Sequence, residues 1–486
     1  MDARPVFHVL GALLVILSLA MLLPALLDLW DQNYKGARAF LFSAAITLFS
    51  GGTLYLSSHQ KKAQLNVRQT FLVTTVVWFG VALFGALPFR LGDFNLTLVD
   101  ALFESISGIT TTGSTVVTGL DNLPRGFLIW RALLQWLGGV GIIVMAVSLL
   151  PLLQVGGMQM FRAEGFEQGD KILPRAKEIA FNVLLVYIGI TILGALLLRF
   201  SSASMSSFDA IAHAMTAVAT GGFSTHDQSI SYFESFAVDI VIWLLMLLGS
   251  LPFMMLLAAV YSRFSRITIE SQARVFLLMI ALLGVFMAWW LMKQGIAENW
   301  LTALRLGFFN TTSIVTGTGF ATQDYSSWGS LSQMLFLAIM FIGGCAGSTT
   351  CGIKIFRFQI LFATAYNQLR QLVEPRGIFV ARYEGRPISE DITKSVLGFI
   401  FLFLISFVSL ALLLGLVTDL DFIALISTAA TALCNVGPAI GSPVGPAGNF
   451  SSLNDAAKLI MAFGMMLGRL EIYSILILLL PNYWRG

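Results

Sequence analysis

Ten apolar runs punctuate the chain, near positions 5–30, 38–57, 69–89, 127–152, 178–199, 234–261, 274–293, 331–359, 393–417 and 455–481. A helix needs roughly 20 mainly apolar residues to cross a bilayer, so the pattern predicts ten crossings. The first run exceeds the roughly 7–15-residue apolar core of a secretory signal and no small-residue cleavage pattern follows it, so it is expected to remain as a span. Four shorter, semi-apolar stretches lie between crossings, near 97–112, 207–221, 301–318 and 421–436. They are too short and too rich in Thr, Ser and Gly to cross, and they predict re-entrant segments. The expected fold class is an all-α polytopic membrane protein.

The re-entrant stretches carry an internal repeat. Residues 109–114 (Ile-Thr-Thr-Thr-Gly-Ser), 218–223 (Val-Ala-Thr-Gly-Gly-Phe), 315–320 (Val-Thr-Gly-Thr-Gly-Phe) and 433–438 (Leu-Cys-Asn-Val-Gly-Pro) stack on Gly113, Gly222, Gly319 and Gly437, which are 109, 97 and 118 residues apart. Units of span, half-helix, glycine loop and span are expected at 69–153, 178–261, 272–360 and 392–481, pseudo-fourfold about one pore, behind an N-terminal hairpin at 1–60. Asp100 and Asp209 lie thirteen residues before their glycines, where an acid favours the positive end of a short helix. The match fails at Leu306 and shifts to Asp421 in the fourth copy. Non-helical backbone at membrane depth survives only when buried in protein or lining a wet cavity. Four such loops about one axis would present carbonyl oxygens, and the negative ends of four half-helices, to a partly dehydrated cation.

Composition supports the membrane reading. Hydrophobic residues make up 57% and charged residues 11% of 486, with mean hydropathy +0.83. A soluble domain carries about 25% charged residues. The net charge of +3 is too small to build a nucleic-acid face. Cys345, Cys351 and Cys434 fit neither a disulfide framework nor a zinc site, and the four histidines lack metal-ligand spacing. Nothing suits an intramembrane enzyme, which would need paired carboxylates, a Ser/His pair or HExxH within the spans. No enzyme activity and no bound cofactor are expected. With ten spans the termini share one side; that side takes 19 of the 29 Lys and Arg, so both termini are expected in the cytoplasm.

Two further features stand out. Residues 343–352 put four glycines and a run of Ser and Thr inside the eighth apolar run. They suit either close helix packing or an unwound loop, since each Gly costs a helix roughly 1 kcal/mol relative to Ala. Arg469 falls near the middle of the last run, where an unpaired Arg costs at least about 2.5–3.5 kcal/mol. A local pair with Glu471 is one explanation, although residues two apart on a helix face different ways; a guanidinium in an ion path is the other.

Together the four loops, the segment 343–354 and Gly468-Arg469-Leu470-Glu471 resemble the Trk/Ktr/HKT potassium transporter superfamily, in its bacterial TrkH-type membrane-subunit branch, from about residue 69 onward. The resemblance implies potassium uptake across a bacterial inner membrane. It assigns a potassium filter to Thr111, Thr112 and Gly113; Thr220, Gly221 and Gly222; Gly317, Thr318 and Gly319; and Asn435, Val436 and Gly437. It makes Gly343, Gly344, Gly347, Ser348, Thr349, Thr350, Gly352 and Lys354 an intramembrane gating loop, with Arg469 beside it. Gly113, where sodium-transporting plant members carry Ser, favours potassium. The resemblance also implies a homodimer in membrane lipid and a soluble nucleotide-binding regulator subunit at the cytoplasmic face. With only one or two inward glycines per loop, potassium and rubidium should pass well and sodium measurably. An ion-coupled symporter, driven by protons or sodium, remains the competing reading.

Overall fold

A computed structural model describes residues 2–58, 66–92, 94, 96–148, 172–261 and 270–485. Most of the 154–178 linker, the end of the fourth apolar run and the charges at Lys61, Lys62, Arg162, Lys171, Arg263 and Arg266 lie outside the described residues. The chain is mainly helical. Among the described residues, seven helices are long and apolar enough to cross a membrane: Arg4–Trp30, Tyr34–Ser57, Val67–Leu91, Arg125–Met145, Glu178–Ser201, Ser271–Lys293 and Glu390–Val417.

The three remaining apolar runs are not straight spans. Phe236–Ser250 and Phe253–Val260 meet at 103°, and Asp455–Arg469 and Tyr473–Leu479 at 105°. Pro252 explains the first bend: it lacks an N–H and forces Leu251 into extended backbone. At the second, Glu471 and Ile472 adopt φ of 54° and 58°, outside the helical region. The eighth run forms only Ser330–Met340, and helix resumes at Ile355–Val373.

All four re-entrant stretches are short helices: Leu98–Ile109, Ser207–Val218, Trp300–Val315 and Phe422–Cys434. At 12 to 16 residues they reach about 18–24 Å, short of a full crossing. Each begins at a side-chain cap. Thr97, Ser206, Asn299 and Asp421 accept the N–H groups of Asp100, Asp209, Thr302 and Ala424, satisfying donors the first turn leaves open. Asp100 and Asp209 stand in first turns, at the positive helix end. In the third and fourth copies the cap itself, Asn299 or Asp421, takes over.

The N-terminal helices pack tightly on each other, since a Cβ on Gly11 would lie 2.5 Å from Tyr55 N. They reach the next unit through Asp28, which accepts Gly126 N at 3.0 Å, and through the Asp31–Arg125 pair. Beyond Ile355–Val373 a two-stranded antiparallel hairpin pairs Arg382–Tyr383 with Arg386–Pro387. Glu384 and Gly385 turn it with φ of 50° and 80°, the both-positive geometry of a tight hairpin turn.

The loops after the first two half-helices are joined on their outer side by an ionic tie. His226 Nδ1 lies 2.5 Å from Asp121 Oδ1, Nε2 lies 3.5 Å from Asp209 Oδ1, and the ring stacks on Tyr232 at 3.5 Å. Leu120 N also donates to Asp227, at 3.1 Å. Burial lowers the affinity of His226 for a proton, but hydrogen bonds to Asp209 and Asp121 outweigh it and raise the pKa above its ordinary 6.5. That stabilisation is complete below the unfolded value and disappears as pH rises through the folded one. Thermal unfolding of the solubilised protein should therefore show stability falling, by at most about 1 kcal/mol, as pH rises from about 6.5 to the alkaline side. In His226→Gln the dependence over that interval should flatten; an unchanged profile would mean the tie contributes nothing.

Candidate functional site

All four half-helices end alike. The N–H groups of Thr112, Gly221, Thr318 and Val436 donate to the carbonyls of Ser107, Thr216, Ser313 and Thr431 at 2.9, 2.8, 2.9 and 3.2 Å. Each bond spans five residues, the wide closure of a Schellman ending. Two residues per loop then take positive φ, with one of ordinary φ between them: Thr111 and Gly113, Thr220 and Gly222, Gly317 and Gly319, Asn435 and Gly437. Such alternation turns successive peptide carbonyls toward one side. Thr111 and Thr220 hold φ of 53° and 51°, which costs a β-branched residue about 1–3 kcal/mol. Gly317 and Asn435 occupy the same place with less strain.

The loops meet in chain order and close on themselves. A Cβ on Gly113 would lie 2.2 Å from the carbonyl oxygen of Gly221; on Gly222, 1.8 Å from that of Thr318; on Gly319, 2.3 Å from that of Val436; on Gly437, 3.0 Å from that of Thr112. The structure thus brings all twelve sequence-predicted loop residues together. Four main-chain oxygens, from Thr112, Gly221, Thr318 and Val436, form a ring whose spacing only glycine permits.

Buried polar groups brace the loops. Gln135 Nε2 donates at 2.6 Å to Gly221 O, itself one of the ring oxygens, and its Oε1 accepts Phe223 N at 3.0 Å. Glu104 accepts Arg131 Nε at 2.6 Å and both Thr115 Oγ1 and Val116 N, while Arg131 donates to Ser224 O at 2.8 Å and lies 4.0 Å from the Phe223 ring centre. Charge counting places Arg131 at an outer helix end; instead it is fully buried, paired, and links the first loop to the second. First and last units meet along a seam. Ser114 Oγ donates to Gly437 O at 2.6 Å, Asn435 Nδ2 to Thr112 Oγ1 at 2.8 Å and Phe450 N to Thr115 O at 2.9 Å, and Lys458 pairs with Asp100 at 2.7 Å.

Residues 341–354 are non-helical and fold back beneath the ring. Gly343 N donates to Ile353 O and Ile353 N to Phe341 O, at 2.9 and 3.0 Å, closing the base of a loop. Gly347 and Gly352 have φ of 74° and 72°. The loop is anchored on the second unit: Cys345 N donates to Ser250 O, Thr349 N to Gly249 O, and Thr349 Oγ1 lies 3.1 Å from Thr220 Oγ1. Gly344 N donates to Thr350 Oγ1, Ser348 Oγ to Cys345 O, and Lys354 Nζ folds back on Thr350. Ala346 N donates to Gln272 Oε1 at 2.8 Å. The unwound alternative is therefore the one adopted.

Arg469 is buried against this loop. One terminal nitrogen donates to Thr349 O at 3.0 Å and to Cys351 Sγ at 2.8 Å, and the other to Gly138 O at 3.0 Å. Glu471 pairs with Arg357 instead, so the local-pair explanation fails. Loop, Arg469 and Ile142 enclose about 20 Å³, room for about one water. The second helices of three units press glycines onto half-helix ends: a Cβ on Gly138, Gly249 or Gly468 would lie 2.0, 2.5 or 1.8 Å from the carbonyl oxygens of Ile109, Val218 or Leu433. Among the supports that sequence reasoning missed, Gln135 and Arg131 sit within the fourth apolar run and Glu104 within the first semi-apolar stretch, and a polar side chain in such a position was their one available signal.

Comparison with known proteins agrees with this geometry. Residues 36–485 match the family model of the TrkH cation transport protein. The chain is 41% identical to the Trk system potassium uptake protein TrkI of Halomonas elongata, over 99% of this chain and 97% of that one. It is 36% identical to the Trk system potassium uptake protein TrkH of Escherichia coli strain K12, over the full length of both. The crystal structure of the potassium transporter TrkH from Vibrio parahaemolyticus superposes with a TM-score of 0.91 over the whole of both chains, at 34% identity. The chain belongs to the TrkH family of cation transport proteins.

Proposed function

We propose that this chain takes up potassium across a bacterial inner membrane through a channel-like pore. The observation that carries this reading is the closed ring of main-chain oxygens from Thr112, Gly221, Thr318 and Val436. Such oxygens replace the hydration shell of an alkali cation, and the half-helix ends add negative potential at the same place. Relatives named as potassium uptake proteins support potassium as the cargo. In this reading ten crossings form four units, 69–153, 178–261, 272–360 and 392–481, around the pore behind the hairpin at 1–60. Both termini are cytoplasmic. The chain works as a homodimer with a soluble nucleotide-binding regulator on the cytoplasmic face.

The 343–354 loop and Arg469 form the gate. In the state described they leave about 20 Å³, too little for a hydrated ion, and place a positive charge beside the path. Opening requires the loop to release Gly249, Ser250 and Gln272, and Arg469 to release Gly138 and Thr349. A symporter is the second reading; the ring in chain order favours a pore over two inverted halves, and single-channel current steps separate the two. Growth rescue of a potassium-uptake-deficient host in low potassium, with and without a regulator subunit, tests the proposal directly.

Two substitutions test its parts. Gly113→Ser puts a side chain against Gly221 O, where overpacking costs about 1–3 kcal/mol and must push the first two loops apart. The sodium share of flux, measured against rubidium in vesicles, should rise several-fold; an unaltered ratio would remove this loop from the filter. Arg469→Ala deletes a repulsion of about 2 kcal/mol on a cation roughly 8 Å away at an effective dielectric of 20. Rubidium uptake should rise several-fold at normal expression, with roughly 30-fold as the ceiling, and unchanged or reduced uptake would count against a gating charge.

A further inference from the structure

Away from the pore, an open groove of about 570 Å³ runs between the helix Arg125–Ser148, the helix Ile172–Ser201 and the second half-helix. Trp136, Ile188, Ala195, Ile211 and Met215 are among its walls. Its interior polar groups satisfy one another: Trp136 Nε1 donates to Thr191 Oγ1 at 3.2 Å, and Thr191 Oγ1 to Tyr187 O at 2.8 Å. An occupant must therefore be apolar along its length. At one end the exposed Arg199 donates from Nε to Ser207 Oγ at 3.2 Å and makes no ion pair among the described residues. From Ile188 to Arg199 the helix rises about 16 Å, close to half the roughly 30 Å hydrocarbon thickness. The groove is thus about as long as one leaflet is thick, and Arg199 stands in the last turn of its helix.

We infer that this groove is a site for one anionic phospholipid, an acyl chain in the cleft and the phosphate on Arg199, in the leaflet facing the half-helix N-termini. Both kinds of phospholipid offer the guanidinium a phosphate; the preference comes from net charge, because a choline ammonium competes with Arg199 for its own phosphate whereas an anionic headgroup leaves that phosphate to the unpaired cation at the groove mouth. The groove's wall residues Leu133 and Trp136 share a helix with Gln135, whose amide holds Gly221 O and Phe223 N.

The test uses the purified full chain, titrated with phosphatidylglycerol or phosphatidylcholine and read by native mass spectrometry as lipids retained per chain. Wild type should retain one phosphatidylglycerol in preference to phosphatidylcholine. Arg199→Gln should weaken that preference roughly fivefold, as loss of one interfacial cation implies, and Ala195→Trp, which fills the cleft, should abolish the retained lipid. Equal retention by wild type and Arg199→Gln overturns the assignment. So does an unchanged lipid count in Ala195→Trp together with loss of the dimer, which would give the groove to a second copy of the chain. Should Ala195→Trp not yield monodisperse protein, Arg199→Gln decides alone.

Discussion

Main-chain groups held at membrane depth must find partners or face water, and this constraint organises the molecule. Each half-helix resolves it by the same five-residue closure, which spends the loop's N–H groups on the helix behind. The oxygens of Thr112, Gly221, Thr318 and Val436 then face the neighbouring loop's glycine. Everything nearby serves that division. Gln135, Asn435 and the Glu104–Arg131 pair brace the loops, and Gly138, Gly249 and Gly468 let whole helices press against the half-helix ends.

The same constraint shapes the interruption at 341–354. Its peptide groups are satisfied largely by the second unit, at Gly249 and Ser250, and by Gln272. Arg469 reaches the loop from the last unit while also holding Gly138 of the first. One guanidinium therefore bridges three units beside a space of about 20 Å³. Among the described residues it pairs with no carboxylate; carbonyl oxygens and a thiol hold it, partners weak enough to exchange.

Much of this was legible in the sequence because polar residues inside apolar runs are costly and so conspicuous. The four half-helices fall where Thr, Ser and Gly interrupt the hydrophobic pattern, and the glycine register matches the positive φ at residues 113, 222, 319 and 437. Of the two bends only the first carried a signal, Pro252; at the second, Glu471 and Ile472 take positive φ with neither glycine nor proline at those positions to mark it. Buried pairs escaped for another reason. Glu104 and Arg131 are 27 residues apart, and Arg357 and Glu471 are 114 apart, so no local spacing joins them. Counting cations by side of the membrane is blind to burial: Arg131, Arg357 and Lys458 are each buried in a pair.

The seam between the first and last units has a bearing on how the molecule is made. Ser114 and Gly437, or Asp100 and Lys458, are separated by more than three hundred residues. Their encounter carries the largest loop-closure cost in the circle. The four directional polar contacts gathered at that joint act as the latch of a clasp, favouring completion of the circle by its own final quarter over entry of a stray helix.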